Sequence, residues 1–216
     1  MMLVEDIMKK DVITIDSNDS LRLALLKVHQ NRIRHIPIIE QGKLVGIISD
    51  RDIRDACPSI ISASHPDDEK VMTTPVSTIM RKDVITAHPL DFVEEAALVL
   101  YENHIGCLPV VVDDTLVGIL TETDILHTLV ELMGVHYPSS HIEVEVDDRT
   151  GLLADVAQLF KETNCNVTSV LVFPGQHTGK KNLAFRVQTI NPRKVVSKIE
   201  EAGYRVVWPR ESEGVL

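Results

Sequence analysis

The spacing of apolar residues predicts a small unit of strands and helices at the start of the chain. Apolar runs at residues 13–15, 36–39 and 44–48 are typical of short strands. Residues 21–28 carry leucine and valine at helical spacing, and Ser49 is placed to open a second helix. The predicted order is therefore strand, helix, strand, strand, helix.

The same unit occurs a second time. Residues 4–53 recur at 76–125 without a gap, at a constant offset of 72 residues that relates Gly46 to Gly118. Two copies are too few for a solenoid, which needs at least three units to bury its faces. We therefore expect two like units packed as a pair with pseudo-two-fold symmetry and equivalent clefts at the seam.

The pattern changes after residue 140. Polar and apolar residues alternate over 141–146, as in a strand with one buried face, and an apolar helical stripe begins at Leu152. Strands are predicted at 167–173 and 183–189, followed by a helix from Pro192 and a last strand. The order βαββαβ is that of a ferredoxin-like unit, so the fold class is mixed α/β (α+β).

Composition and charge narrow the classes of function. The chain has 216 residues, a net charge of −10 and 4% aromatic residues, which disfavours binding to nucleic acid and to anionic membranes. No apolar run reaches the roughly 18 residues of a membrane span. Three cysteines stand far apart without a Cys-x-x-Cys pair. These features lead us to expect a soluble, cytoplasmic protein with free thiols and no metal site.

Each copy carries the pattern Gly-h-h-[Ser/Thr]-x-x-Asp, where h is apolar, after its last strand. Ser49 and Asp52 occupy the polar positions in the first copy, and Thr121 and Asp124 in the second. A helix start attracts anions, and a carboxylate on the first turn can accept two hydrogen bonds from a cis-diol. The same residues also fit capping boxes that only secure the helix, so both interpretations remain open.

These motifs, with Arg34-His35-Ile36-Pro37 and Gly106-Cys107-Leu108-Pro109 upstream, resemble tandem CBS domains over residues 2–134. The resemblance implies two clefts for adenosine-containing ligands (AMP, ADP, ATP, S-adenosylmethionine or NADH). It also implies that the motif aspartate binds the ribose hydroxyls, while the Ser/Thr and the helix start meet phosphate. The implied nucleotide-binding residues are Thr14, Ile36, Pro37, Ser49, Arg51, Asp52, Thr86, Leu108, Pro109, Thr121 and Asp124.

The two copies differ in charge at matching positions. Arg34, His35 and Arg51 in the first copy correspond to Gly106, Cys107 and Thr123 in the second. Arginine suits phosphate recognition because its planar guanidinium is a fork of donors. One hypothesis is that the first cleft prefers a phosphorylated ligand, while the second takes a less charged one or stays empty. The alternative is that these arginines are solvated surface charges.

The C-terminal region resembles an ACT domain through the turn Asp148-Arg149-Thr150-Gly151-Leu152-Leu153 and through Asn166. Thr150 stands where proline is usual, so the turn is less restricted in φ. The resemblance implies an amino-acid site formed by Asp148, Gly151, Leu152, Leu153 and Asn166. The alternative is a structural dimerisation domain. The exposed edges of such a sheet favour a homodimer in either case.

The implied domain order is CBS domain 1 (1–57), a connecting segment (58–75), CBS domain 2 (76–134), a linker (135–140) and an ACT domain (141–209). This arrangement is similar to the acetoin-utilisation protein B (AcuB) family, which is associated with control of acetoin and acetyl-CoA metabolism. No catalytic motif is present, so we expect a ligand sensor that acts on an unidentified protein partner. The alternative is a dimeric scaffold with vestigial clefts.

Overall fold

The structure is a computed structural model that describes residues 2–56 and 66–209, with residues 66–69 described by their backbone alone. Two compact units divide the chain, Met1–Leu126 and His127–Leu216. Cys57 and the first half of the expected connecting segment lie outside the described residues. The second half of that segment contains a helix that the sequence did not predict.

Residues 2–132 contain most of the elements that the repeat predicts, with small shifts at their ends. The second copy lacks the predicted first strand and has only an isolated bridge between Ala87 and Val110, and the short helix at Val4–Ile7 was not predicted. The short strand of the first copy begins at Ile15 rather than at residue 13. In chain order the helices and strands are α1 (Val4–Ile7), β1 (Ile15–Asp16), α2 (Leu21–Asn31), β2 (His35–Glu40), β3 (Lys43–Ser49), α3 (Asp50–Ala56), α4 (Pro66–Thr73), α5 (Val93–Asn103), β4 (Cys107–Val112), β5 (Thr115–Thr121) and α6 (Glu122–Leu132).

These strands form one five-stranded sheet in the order β1-β2-β3-β5-β4. Strands β3 and β5 meet at its centre through the pair Lys43 and Thr115, so the hairpin of each copy lies on one side of this contact. Within the hairpins, Pro37 pairs with Ile47, and Pro109 pairs with Ile119. The backbone N–H and C=O of Ile47 both bond to Arg81, and those of Ile119 both bond to Lys9, so the missing N–H of each proline leaves no acceptor unpaired in the ladder.

The N-terminal segments of the two copies are exchanged. Val4, with Ile7 and Met8, packs into the core of the second copy, whereas Val76, with Ile79 and Met80, packs into the core of the first. The exchange is fixed by matching backbone bridges, Lys9 to Ile119 and Arg81 to Ile47. The repeats therefore complete each other's cores, which confirms a paired arrangement and shows why one copy alone would leave apolar residues exposed.

The second unit has the predicted βαββαβ order. Its elements are β6 (Ser140–Asp147), α7 (Leu152–Glu162), β7 (Val167–Pro174), β8 (Lys180–Val187), α8 (Arg193–Glu201) and β9 (Arg205–Trp208). They form a four-stranded sheet in the order β7-β8-β6-β9, which is the ferredoxin-like arrangement. Ile142, Val156, Phe160, Phe185 and Ile199 are fully or almost fully buried in its core.

Strand β7 forms one edge of this sheet and remains apolar and exposed. Its four consecutive residues Val170, Leu171, Val172 and Phe173 are each 38–50% exposed. An edge strand offers unpaired backbone groups on its outer side, and natural proteins normally protect such edges with charges or with a partner. No charged residue occurs within Val167–Pro174. The expectation of an exposed sheet edge is therefore met at β7.

Candidate functional site

The motif of the first copy folds into a helix start that is closed by reciprocal hydrogen bonds. The backbone N–H of Ser49 and its Oγ donate to Oδ2 of Asp52 at 2.9 and 2.6 Å, while the backbone N–H of Asp52 donates to Ser49 Oγ at 3.1 Å. This is the geometry of a capping box. One carboxylate oxygen therefore secures the helix, and Oδ1 is left facing Arg81, whose Nη2 lies 3.6 Å away.

The second copy repeats this geometry. The backbone N–H of Thr121 and its Oγ1 donate to Oδ2 of Asp124 at 2.9 and 2.5 Å, and the Asp124 N–H donates to Thr121 Oγ1 at 3.3 Å. Oδ1 of Asp124 lies 3.4 Å from Nζ of Lys9. Lys9 and Arg81 are equivalent residues of the exchanged segments, so each carboxylate receives its cation from the N-terminal segment of the other copy.

The glycine of each motif makes room for that exchanged segment. A β-carbon built on Gly46 would lie 2.7 Å from Met80 Sδ, and one built on Gly118 would lie 2.5 Å from Met8 Sδ. These separations are too short for any side chain without movement of the methionines. The motif glycine is thus required for packing of the segment that brings Lys9 or Arg81 to the carboxylate.

The environment of Asp52 favours its charged form. Burial acts to raise its pKa, but the hydrogen bonds from Ser49 and the nearby Arg81 guanidinium together hold the pKa of this carboxyl below its usual value. The group is consequently ionised at neutral pH. An ionised carboxylate that presents one oxygen to a cleft can only accept hydrogen bonds, which suits a hydroxyl-bearing ligand.

The larger of two clefts in the first unit contains Ser49, Arg51 and Asp52 and has a volume of about 610 Å³. Motif residues of the first copy form one side of it, and residues of the second copy form the other. Its lining residues are Arg34, His35, Ile47, Ser49, Asp50, Arg51, Asp52, Arg54, Arg81, Asp83, Val84, Ile85, Asn103, His104, Ile105, Gly106 and Cys107.

The smaller cleft contains Thr121 and has a volume of about 230 Å³. It is lined by Lys9, Asp11, Val12, Ile13, Arg32, Ile33, Arg34, His35, Gly106, Ile119, Thr121 and Thr123. Each of these residues is related by the 72-residue offset to a residue that lines the larger cleft. The two clefts are therefore equivalent positions of the repeat, as the sequence predicts, but they differ in size and in charge.

Arg34, His35 and Gly106 line both clefts. Burial lowers the pKa of His35, and the neighbouring Arg34 charge lowers it further, so its ring is neutral at pH 7. Burial likewise raises the pKa of the adjacent Cys107 thiol to about 12, which makes it a protonated packing residue rather than a nucleophile.

The structure separates the residues implied by the family resemblance into two groups. Ser49, Arg51 and Asp52 line the larger cleft, Thr121 lines the smaller one, and Asp124 is bonded to Thr121 beside it. The others do not line either cleft. Of these, Ile36, Pro37, Leu108 and Pro109 are buried within β2 and β4, while Thr14 and Thr86 directly follow the cleft-lining residues Ile13 and Ile85.

Several cleft residues were not predicted as binding residues. Apolar side chains come from residues 12–13 and 84–85, and cations come from Lys9 and Arg81. These positions match between the copies, so the repeat itself carried the signal. These residues could not be assigned to a cleft from the sequence, because each segment lines the cleft that contains the motif of the other copy.

A third cavity, of about 570 Å³, lies at the turn between β6 and α7 of the second unit. Asp148, Gly151, Leu152 and Leu153 line it together with apolar residues of the sheet and α7. Gly151 has φ of +88°, a conformation that favours glycine. Asn166 is not part of this cavity, because it lies beyond the other end of α7, where its amide donates to Gln188 at 3.0 Å.

Comparison with known families identifies these units. The CBS domain model matches residues 4–59 and 76–131, which together make up more than half of the chain. The chain belongs to the CBS domain family. The ACT domain model matches residues 140–203, so a CBS pair is followed by an ACT domain. Both assignments confirm the resemblances drawn from the motifs.

Individual relatives align with part of the chain. A CBS domain-containing protein of Dictyostelium discoideum is 33% identical over 143 residues, which cover 64% of this chain and 99% of that protein. Homoserine O-acetyltransferase of Methanococcus vannielii is 33% identical over 129 residues, but these cover only 25% of the enzyme. The chain thus spans nearly all of the first relative and about a quarter of the second.

Two solved structures also align with about three fifths of this chain and with nearly all of their own length. The Vibrio cholerae protein named for acetoin utilization (AcuB) is 35% identical, with a TM-score of 0.53, over 64% of this chain and 99% of that chain. The CBS pair of protein MJ0100, crystallised with 5′-methylthioadenosine and S-adenosyl-L-methionine, is 34% identical, with a TM-score of 0.51, over 60% of this chain and 96% of that chain.

The residues whose structure is described contain neither a membrane-spanning helix nor a metal-binding cluster. No helix there combines the length and the apolar character needed to cross a bilayer. Among the side chains of residues 2–56 and 70–209, no group of three or more histidine, cysteine, aspartate or glutamate residues is arranged to hold a metal ion.

Proposed function

We propose that this CBS pair is a regulatory sensor that binds an adenosine-containing ligand in its two clefts and has no catalytic activity of its own. The observation that carries the proposal is the matched pair of aspartates, each with one oxygen held by the helix cap and the other beside a cation at a cleft. The 34% identical CBS pair crystallised with two adenosine derivatives supports it.

The chemistry of the larger cleft suits a nucleotide. Oδ1 of Asp52 is an acceptor for ribose hydroxyls, and Val84 and Ile85 supply apolar surface for a base. The volume of about 610 Å³ falls in the usual range for small-ligand sites, roughly 300–1,000 Å³. Candidate ligands are AMP, ADP, ATP, S-adenosylmethionine and NADH.

Charge favours a phosphorylated ligand in the larger cleft. Arg54 is paired with Asp50 at 3.0 Å, and Arg81 faces Asp52. Arg34 and Arg51 make no ion pair with any described residue, so their guanidinium groups are available to a phosphate. The smaller cleft has Thr123 in place of Arg51 but is also lined by Arg32, so its volume of about 230 Å³, rather than its charge, leads us to propose that it takes a smaller ligand.

Thermal-shift measurements test the sensor. A ligand at 100 times its dissociation constant stabilises the folded protein by about 2.7 kcal/mol, which raises Tm by several degrees. We expect such a shift with at least one of the five candidates and its loss in the D52A/D124A double variant. Unchanged melting with all five ligands would contradict the sensor and favour the scaffold.

We further propose that the sensor controls acetoin or acetyl-CoA metabolism through a protein partner. Support comes from the Vibrio cholerae AcuB protein, 99% of whose length aligns with this chain. Growth of a deletion strain on acetoin as the carbon source tests this role. We expect impaired growth that is restored by the unmodified gene, whereas normal growth would contradict the metabolic assignment.

The cavity of the ACT domain is proposed to bind an amino acid. Val146, Leu152, Val172 and Leu183 give it an apolar lining, while Lys181 at its edge is paired with Asp148 at 2.7 Å. An apolar side chain fits this lining, and the charged pair can exchange partners with the ligand's ammonium and carboxylate.

Calorimetric titration with the twenty amino acids tests this site. A157W places a large ring in the cavity, and Q158W on the same helix is the matched control because Gln158 does not line it. We expect heat of binding from an amino acid with an apolar side chain, retained by Q158W and lost in A157W. No binding by the unmodified protein would leave the ACT domain as a dimerisation unit.

The dimeric scaffold is the second candidate function, and β7 is the observation that favours it. We propose that β7 pairs with β7 of a second copy, because backbone pairing and burial of its exposed apolar residues would protect the edge. Light scattering should give twice the chain mass for the unmodified protein and a single chain mass for V172K. A monomeric unmodified protein would contradict the pairing.

A further inference from the structure

The two clefts of the CBS pair meet at a common wall formed by Arg34, His35 and Gly106. The backbone places this wall beside both helix starts. The carbonyl of Arg34 accepts a hydrogen bond from the N–H of Asp50 at 2.8 Å, and the carbonyl of Gly106 accepts one from the N–H of Glu122 at 3.2 Å. The wall is therefore attached to α3 on one side and to α6 on the other.

Only one copy of the repeat supplies a charged side chain to this wall, and that side chain is Arg34. The residues equivalent to Arg34 and His35 are Gly106 and Cys107, neither of which carries a cation. The ring of His35 fills the space that a side chain at Gly106 would need, since a β-carbon there would lie 2.9 Å from its Cε1. A symmetric repeat would place one arginine at this wall position in each copy, whereas here Arg34 alone occupies it and lines both clefts. Each cleft also has an arginine of its own, Arg32 in the smaller and Arg51 in the larger.

The electrostatic influence of Arg34 extends across the seam. Its charge lowers the pKa of His35 in its own copy and opposes the rise in the pKa of Cys107 in the other. Arg34 is exposed and makes no ion pair with a described residue, so its guanidinium is available to a ligand in either cleft. A single guanidinium bonded to a phosphate in one cleft is no longer available to the other.

We propose that Arg34 is a shared anion-binding residue for which ligands in the two clefts compete, so that two anionic ligands bind with negative coupling. The inference rests on the proposed nucleotide binding and adds a mode of regulation to it. Uncharged adenosine derivatives do not use the guanidinium, so we expect them to fill the clefts independently. Negative coupling through Arg34 would make the second anion bind more weakly than the first, so that the state with one bound anion persists over a wider range of ligand concentration.

Calorimetric titration with AMP as the anionic probe and 5′-methylthioadenosine as the uncharged probe measures the coupling. D52A leaves the smaller cleft intact and D124A leaves the larger one intact, so these variants give the two single-cleft association constants. The coupling factor is the product of the two association constants of the unmodified protein divided by the product of the single-cleft constants. Independent clefts give a factor of one.

We expect a factor of about 0.1 for AMP, within the range typical of coupled sites, and a factor near one for 5′-methylthioadenosine. Introducing R34A into all three backgrounds should return the AMP factor to one. R54A is the matched control, because Arg54 lines only the larger cleft. It should leave the factor near 0.1 even where it weakens binding.

A factor of one for AMP in the unmodified protein, or one that stays near 0.1 in R34A, would overturn the shared-residue proposal while leaving nucleotide binding intact. Absence of heat from both probes in the unmodified protein would instead reject the proposed function itself. Circular dichroism melting of each variant separates lost binding from lost folding, and R34Q provides a second, bulkier neutral replacement.

Discussion

The two CBS repeats have the same backbone fold but differ in the side chains that they supply to the wall between their clefts. Both helix starts are closed by the same three hydrogen bonds, and both motif glycines accommodate a methionine of the exchanged segment. Their clefts nevertheless measure about 610 and 230 Å³. The wall residues are Arg34 and His35 in one repeat but Gly106 and Cys107 in the other.

This difference shows which positions are constrained by folding and which are open to function. Glycine is required at Gly46 and Gly118 because the packed segment leaves no room for a β-carbon. At the wall, the atoms that a β-carbon on Gly106 would meet belong to side chains rather than to the backbone, and arginine occupies the equivalent place in the first repeat. Ligand preference can therefore change in one repeat while the fold of both is kept.

The largest expected effect comes from replacing the motif aspartates. D52N and D124N retain an oxygen that can accept the cap hydrogen bonds but turn an NH2 group toward the ligand. Loss of a hydrogen bond to a charged group costs about 1.5–3 kcal/mol, or roughly 10–100-fold in affinity. In AMP titrations D52N should lose the tighter binding step and D124N the weaker one. Equal losses in the two variants would contradict the difference between the clefts.

Alanine at the motif glycines tests the shared backbone. G46A forces its methyl group against Met80 and the backbone of Arg81, and G118A does the same against Met8. Overpacking of this kind costs about 1–3 kcal/mol of unfolding free energy. Urea denaturation should give similar losses for the two variants, and M80A should partly rescue G46A in a double-mutant cycle. A neutral G46A would show that the exchanged segment is not packed here.

The caps themselves should contribute equally. S49A and T121A each remove the hydroxyl that accepts the N–H of the aspartate and donates to its carboxylate. Loss of such an N-cap costs about 1 kcal/mol. Denaturation should show a similar decrease for both variants, while D52A and D124A serve as controls that remove the carboxylate of the same caps. A cost confined to one repeat would contradict the equivalence of the helix starts.

The smallest effect concerns the thiol at the wall. With its pKa raised to about 12 by burial, Cys107 has almost no thiolate at pH 8 and should resist iodoacetamide in the folded protein. Peptide mapping by mass spectrometry should find Cys107 unmodified until denaturant is added, with the less buried Cys165 modified earlier. Rapid alkylation of native Cys107 would show that the wall opens.

Most of the fold was predictable because its apolar pattern is strongly periodic and occurs twice. The repeat predicted the paired hairpins, and the alternation at 141–146 predicted the first strand of the ferredoxin-like sheet. The exchange of the segments that contain Val4 and Val76 was not predicted, since periodicity reports which residues are buried but not in which core. Helix α4 was missed because the polar composition around it is typical of a connection.

The sequence predicted the motif residues of the candidate site but not the residues that complete each cleft. Ser49, Asp52, Thr121 and Asp124 could be found because the cap chemistry requires those residue types at that spacing. Ile36 and Leu108 were carried over from the family motif, yet both are in the core. The residues that complete each cleft belong to the other repeat, and a contact between repeats leaves no local pattern in the sequence.

Native mass spectrometry tests the central claim most directly, because it counts ligands bound to the intact chain. After incubation with excess AMP, ADP, ATP, S-adenosylmethionine or NADH, we predict adducts of at least one of these compounds on the unmodified protein. We predict none on the D52A/D124A variant. A bare chain mass with all five compounds, or identical adducts on the double variant, would contradict ligand binding at the two aspartates.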